Sequence, residues 1–146
     1  PCSLLFFPVG HAALKQPQSS ITAYVGTTAR VICEVSSSNF ADRYIHWYQQ
    51  KPNQPLEHLL YVVLNRVPTK KSLDDQKNKF VGEKNDAQST SVLAINSIAH
   101  KDEATYYCAI WEGYNGWIKN FGEGTQLVIL QSESAFKKKP PKPIFF

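Results

Sequence analysis

The side chains with the greatest potential for chemistry in this chain are four histidines and three cysteines. The histidines are scattered, without the H-x-x-x-H spacing that brings two imidazoles to one metal ion: they are His11, His46, His58 and His100. No nucleophile elbow, phosphate loop or paired-cysteine zinc signature is present in the sequence. His46, beside Trp47, is interpreted as a strand residue rather than a base. We therefore expect no catalytic residue, no metal and no cofactor.

Charge gives no indication of a nucleic-acid-binding protein. The net charge is +4, and residues 131–146 supply +3 of it, from four lysines and one glutamate. The remaining body has twelve basic and eleven acidic side chains. Because nucleic-acid binding needs a basic face on the folded part, we expect no nucleic-acid partner. No apolar run approaches the roughly 18 residues that span a bilayer.

Short apolar runs separated by Gly, Pro, Ser, Asn and Asp predict an all-β chain. Val31, Cys33 and Val35 alternate with more polar neighbours, as in a half-buried strand. Other strands are expected over 19–24, around 45–48, and over 56–63, 80–83, 90–96, 104–110 and 126–130. At most one helical turn is expected, within 97–102. Lys79 is the expected ion-pair partner of Asp102.

Four sequence motifs, covering about residues 15–130, carry a resemblance to a family. They are Cys33, Trp47-Tyr48-Gln49-Gln50-Lys51-Pro52, Asp102-x-Ala104-x-Tyr106-Tyr107-Cys108 and Phe121-Gly122-x-Gly124-Thr125. Together they resemble a V-type immunoglobulin domain joined to a J segment. The resemblance implies a sandwich of two antiparallel sheets with Greek-key connections. It also implies a disulfide between Cys33 and Cys108, formed in an oxidising compartment, and a core that includes Trp47, Tyr106 and Leu93. Tyr106 is expected to make the tyrosine-corner hydrogen bond.

Three further segments are similar to a T-cell receptor gamma chain. They are Ala109-Ile110-Trp111-Glu112-Gly113-Tyr114, Trp117-Ile118-Lys119-Asn120-Phe121 and Lys139-Pro140-Pro141-Lys142-Pro143-Ile144-Phe145-Phe146. This similarity implies recognition of a protein or presented antigen on the extracellular side of the plasma membrane. It also implies pairing with a delta-chain variable domain, with signalling through other receptor subunits. An antibody light chain and an unpaired adhesion-type domain are the alternatives, and an enzyme ranks below both.

Strand alternation predicts a partner surface opposite the core. Five residues should share that face: Tyr48, Gln50, Leu56, Tyr107 and Phe121. A large apolar patch on a domain surface usually marks a partner site. Gln50 could exchange amide hydrogen bonds with an equivalent glutamine, because a buried unpaired amide would be costly.

Three loops, residues 37–44, 63–68 and 109–120, are expected to contact ligand. Rigid aromatic side chains among small polar residues are typical of recognition loops. Alternatively, the aromatic side chains of 109–120 pack back onto the sheet, Trp117 first among them. The predicted contact residues are Asn39, Phe40, Asp42, Arg43, Tyr44, Asn65, Arg66, Trp111, Glu112, Tyr114, Asn115 and Trp117.

The two ends differ in composition from the body. Residues 1–13 have an apolar stretch followed by small residues, which predicts the remnant of a secretory leader. The alternative is an ordinary strand in which Cys2 is a free thiol. Residues 14–130 form the predicted variable domain, and 131–146 a linker with the truncated start of a constant domain.

Overall fold

A computed structural model describes residues 13–37, 39–64, 67–69, 78–112 and 118–131. Within these ranges the chain forms strands and two single-turn 3₁₀ helices, Phe40–Asp42 and His100–Asp102. None of the described helices is long and apolar enough to cross a membrane. The strands are β1 (Ala13–Lys15), β2 (Ser20–Tyr24), β3 (Ala29–Ser36), β4 (Ile45–Gln50), β5 (Glu57–Leu64), β6 (Val67–Thr69), β7 (Phe80–Asn85), β8 (Thr90–Ile95), β9 (Ala104–Glu112), β10 (Ile118–Phe121) and β11 (Thr125–Leu130).

The strands form two sheets. Sheet A has the order β1-β3-β8-β7, and sheet B has the order β2-β11-β9-β4-β5-β6, with β10 paired to β9. Neighbours are antiparallel except β2 and β11, which run parallel. The pairs β3–β8 and β4–β9 join strands distant in sequence, so the chain crosses repeatedly between the sheets. This arrangement confirms the predicted V-type sandwich. Ala13, the last residue of the predicted leader, begins β1 opposite Ser36. The rest of that leader lies outside the described residues.

The core lies between the sheets because inward residues recur with a period of two. Along β3, Val31, Cys33 and Val35 are buried, whereas Arg30 and Glu34 are exposed. Trp47, Tyr106 and Leu93 are fully buried in the same core cluster.

A covalent bond joins the two layers at their centre. Cys33 of β3 and Cys108 of β9 form the predicted disulfide, with their Cα atoms 6.3 Å apart. Trp47 of β4 also packs in the core between the two sheets. Its Nε1 donates a hydrogen bond of 3.1 Å to the hydroxyl of Ser91 on β8. That hydroxyl in turn donates to the carbonyl of Glu83 at 2.6 Å. The polar edge of the tryptophan is therefore satisfied by the opposite sheet, as a buried N–H requires.

A tyrosine corner closes one end of the sandwich. The Tyr106 hydroxyl donates to the carbonyl of Asp102 at 2.6 Å and accepts a hydrogen bond from Gln49 Nε2 at 2.9 Å. Burial raises the pKa of Tyr106 well above its ordinary value, because it disfavours the charged phenolate. Asp102 makes the predicted ion pair with Lys79, at 2.6 Å.

Gln16 is a buried polar anchor that the sequence analysis missed. Its Nε2 donates to the carbonyl of Tyr106 at 2.9 Å, and its Oε1 accepts from the amides of Gly124 at 3.0 Å and Cys108 at 3.2 Å. A Cβ on Gly122 would lie 2.4 Å from Gln16 Oε1. The first glycine of the joining motif is therefore required by the close approach of this side chain, since any larger residue would displace it.

We predict that Tyr106→Phe lowers the free energy of unfolding by about 1–3 kcal/mol, because it leaves a buried carbonyl and a buried amide unpaired. Urea unfolding followed by tryptophan fluorescence measures the change. The matched control is Tyr107→Phe on the same strand, since the Tyr107 hydroxyl makes no hydrogen bond within the described part of the chain. Equal losses in the two variants would contradict the role given to the corner.

Candidate functional site

The side chains of sheet B that point away from the core form what we call the outer face. Cross-strand partners share one face of a sheet, and β4 pairs Tyr48 with Tyr107 of β9 and with His58 of β5. Phe121 of β10 lies opposite Ala109 of β9. The outer face is therefore built on the same central strands that hold the disulfide and Trp47.

Tyr48 is at the centre of the outer face. Its ring is 5.3 Å from the ring of Phe121 and 5.0 Å, edge-on, from that of His58. Its hydroxyl accepts a hydrogen bond of 3.2 Å from Trp111 Nε1. These neighbours leave Tyr48 only 6% exposed. Tyr48 thus differs from the exposed contact residue expected from the sequence, because rings of its own chain already cover it.

Trp111 packs onto the sheet rather than projecting from a loop. Its ring stacks on His46 with 4.2 Å between centroids and an interplanar angle of 2°. The ammonium of Lys119, its cross-strand partner on β10, lies over the same ring, 5.3 Å from its centroid. The alternative of aromatic side chains packed back onto the sheet therefore holds for Trp111, although 42% of the residue stays exposed.

His46, the residue on which Trp111 stacks, is a neutral imidazole at neutral pH. Its Nδ1 is hydrogen-bonded to His58 Nε2 at 2.9 Å. Burial, together with the nearby charges of His58 and Lys119, lowers the pKa of His46 from 6.5 to about 4. Neither histidine belongs to a metal-binding cluster, since the described residues hold no group of three His, Cys, Asp or Glu that could bind an ion.

Exposed apolar side chains concentrate on sheet B. Within the described ranges, the large exposed hydrophobic residues are Tyr44 (51%), Trp111 (42%), Leu56 (40%) and Phe121 (37%). Trp111 and Phe121 lie on β9 and β10, and Tyr44 and Leu56 directly precede β4 and β5. Gln50 is exposed on the same face, and Tyr107 is half-buried. Sheet A carries no exposed large hydrophobic residue among the described positions.

The first predicted loop has both exposed and buried members. Asn39, Asp42 and Tyr44 are exposed and Arg43 is half-buried. Tyr44 stacks on Tyr61 of β5, with centroids 5.6 Å apart. Phe40, in contrast, is only 4% exposed and belongs to the core cluster. Its selection as a ligand contact is therefore wrong, because the 3₁₀ turn directs its ring inward.

The second and third predicted loops are shorter than expected. Residues 63–64 belong to β5 and 67–68 to β6. Ala109–Glu112 and 118–120 continue the β9–β10 ladder, so Trp111 and Glu112 are strand residues. The predicted contacts Asn65, Arg66, Tyr114, Asn115 and Trp117 lie outside the described residues.

Comparisons with known proteins match this architecture. The immunoglobulin V-set domain model matches residues 16–130. A mouse T-cell receptor gamma chain V region is 38% identical over 130 residues, which cover 88% of this chain and 93% of the relative. The human protein described as probable non-functional T cell receptor gamma variable 10 is 40% identical over 104 residues, covering 71% of this chain and 87% of that protein.

The chain belongs to the T-cell receptor gamma variable regions. The solved structure of a marsupial T cell receptor is similar to this gamma variable domain, with a TM-score of 0.70 and 40% sequence identity. That alignment covers 93% of this chain but 60% of the receptor chain, so the domain spans about six-tenths of the receptor chain's length. The predicted family is confirmed. Because it is a family of non-enzymatic receptors, the prediction that the chain is no enzyme is confirmed with it.

Several outer-face residues of the gamma variable domain were not recognised as part of a site. The period of two places His46 on the side of Tyr48, but its stack with Trp111 depends on how far β9 continues into the third loop. His58 and Tyr61 require the register of β5, and this register shifts between Trp47 and Tyr48 of β4. The alternation of side chains in the sequence cannot locate such a register shift.

We predict that the free energy of unfolding of the gamma variable domain falls at acidic pH because of His46. Because the pKa of His46 is about 4 in the fold and 6.5 in the unfolded chain, the unfolded chain binds more protons between these pH values. Stability is therefore complete above pH 6.5 and falls towards pH 4, by up to about 1.4 kcal/mol per pH unit. Urea unfolding between pH 4.5 and 7 measures the slope.

His46→Gln should reduce this slope, whereas His100→Gln, at an exposed position, should preserve it. A wild-type slope in the His46 variant would contradict the assignment.

Proposed function

We propose that this domain recognises antigen as the variable half of a gamma-delta T-cell receptor, with its outer face paired to a delta-chain variable domain. The observation that carries the proposal is the concentration of exposed apolar side chains on sheet B. Monomeric proteins rarely expose a large contiguous apolar patch unless a partner covers it.

The composition of the outer face suits pairing with a similar domain. Leu56 and Phe121 supply exposed apolar groups, and the half-buried Tyr107 lies on β9, which pairs with both β4 and β10. Gln50 is exposed on β4 opposite Thr105 of β9. Once covered, its amide needs a donor and an acceptor across the interface, because an unpaired buried amide costs about 1–3 kcal/mol. A glutamine in the same position of a second variable domain would supply both.

Rigidity also supports an interface here. Tyr48 is held on three sides, by Phe121, His58 and the indole N–H of Trp111. A surface whose rings are already packed loses little conformational entropy when a partner binds. Aromatic residues at the centre of an interface are also those that most often dominate its binding energy.

The loops next to this face supply the ligand surface. Tyr44 is half-exposed and stacks on Tyr61, and the exposed Asn39 and Asp42 precede it in the same loop. A rigid aromatic ring among small polar groups is the composition that recognition loops use. The antigen is a protein or a presented molecule outside the cell. The receptor is membrane-anchored through its other domains and signals through its other subunits.

The pairing is tested by surface plasmon resonance with a panel of immobilised delta-chain variable domains. Phe121→Glu places a charge on the outer face beside Tyr48, and we expect at least a tenfold loss of affinity. Ser36→Glu is the matched control, since it adds the same charge at an exposed position of sheet A. We expect this control to bind like the wild type.

Three results would contradict the proposal. Equal binding by Phe121→Glu and the wild type would show that the outer face is not the interface. Preferential pairing with antibody heavy-chain variable domains would show that the partner is not a delta chain. A monomer that binds no variable domain would favour an adhesion-type module.

A further inference from the structure

Lys84 is a lysine whose side chain is fully buried. It lies on β7 of sheet A, where Gly82 and Lys84 point into the sandwich and Glu83 points to solvent. A buried ammonium is expensive unless oxygen atoms or a ring surround it. The contacts of the Lys84 ammonium therefore indicate its structural role.

Those partners come from both the first and the second predicted loops. Lys84 Nζ donates to the carbonyl of Ala41, within the first loop, at 2.9 Å. It also donates to the carbonyl of Val63, where β5 leads into the second loop, at 3.4 Å. The ammonium is 4.6 Å from the ring centroid of Phe40, and Asp86 Oδ1 lies 3.3 Å from it. One cation thus joins two loops that are otherwise separate in the sequence.

A close approach between the sheets brings Lys84 under these loops. A Cβ on Gly82 would lie 2.6 Å from Leu60 Cδ1 and 2.6 Å from Val62 Cγ2. The absence of a side chain at Gly82 lets β7 lie directly against β5. The next inward residue of β7 then reaches the loop end of the sandwich, where the 3₁₀ turn Phe40–Asp42 covers it.

We propose that Lys84 is a positioning residue that fixes the first and second recognition loops relative to each other. Its ammonium is the common donor, and the buried ring of Phe40 is the platform against which it rests. The outer face has no part in these contacts. Lys84 should therefore govern ligand specificity without affecting partner pairing. The inference rests on the proposed role of these loops in recognition, but its test requires no ligand.

The test is hydrogen exchange of the variable domain, comparing Lys84→Met with the wild type. The 3₁₀ turn has amide hydrogen bonds that report on the first loop, from Asp42 to Asn39 and from Arg43 to Phe40. The amides of residues 62–64 report on the entry to the second. Methionine fills similar space but donates no hydrogen bond, so we expect both sets to exchange about tenfold faster.

Lys79→Met is the matched control, because Lys79 directly precedes the other end of β7 and its substitution removes the ion pair to Asp102. We expect it to leave exchange in both loops unchanged. Lys84→Gln keeps a shorter donor and provides a second variant if Lys84→Met does not fold. The hydrogen bond to the carbonyl of Val63 is the longer of the two, so the shorter glutamine side chain should lose it first. Lys84→Gln should therefore accelerate exchange at least in the second loop.

Wild-type exchange in both loops of the Lys84 variants would overturn the inference, as would acceleration confined to the first loop. Equal acceleration in Lys79→Met would also overturn it, because the effect would then be general destabilisation. Binding to the delta-chain variable domain is measured on the same samples and should stay within about twofold of the wild type. Loss of pairing in the wild type itself would count against the proposed function and would leave the exchange result intact.

Discussion

The structure depends on the bond between Cys33 and Cys108 and on the side chains packed around it. In the chain-entropy model, closing a loop of 75 residues stabilises the fold by about 4–5 kcal/mol. The bond also fixes β9 against sheet A, and β9 is the strand on which β4, β10 and β11 all pair. Gln16 adds a second anchor to the same strand through Tyr106 and Cys108. The register of most of sheet B therefore depends on one well-held strand.

The outer face is a direct consequence of that register. Because strand side chains alternate, the residues next to Trp47 and Cys108 must point away from the core. Tyr48 and Tyr107 are those residues, and they lie opposite each other. The stacking of Trp111 on His46 extends the ordered surface to the base of the third loop. The core, the outer face and the base of the third loop are thus three parts of one packed unit, and Lys84 adds the first and second loops to it.

The sequence predicts the sandwich well because its signals are local. Alternation identifies strands such as 31–35, and the motifs around Trp47, Tyr106 and Phe121 identify the family. Gln16, Phe40 and Lys84 escaped this reasoning for a common physical reason. Each is held by partners distant in sequence, so nothing near a buried glutamine or lysine distinguishes it from an exposed one. The continuation of β9 and β10 into the third loop was also missed, since it depends on cross-strand pairing rather than on composition.

Amide chemical-shift mapping of the isotope-labelled domain, with an unlabelled delta-chain variable domain added, tests the central claim most directly. If the outer face of sheet B is the surface that a second variable domain completes, the largest shifts should occur at Gln50, Tyr107 and Phe121. Arg30, Glu34 and Val92 of sheet A should keep their signals. The largest shifts on sheet A, or no shifts at saturating partner, would contradict the claim.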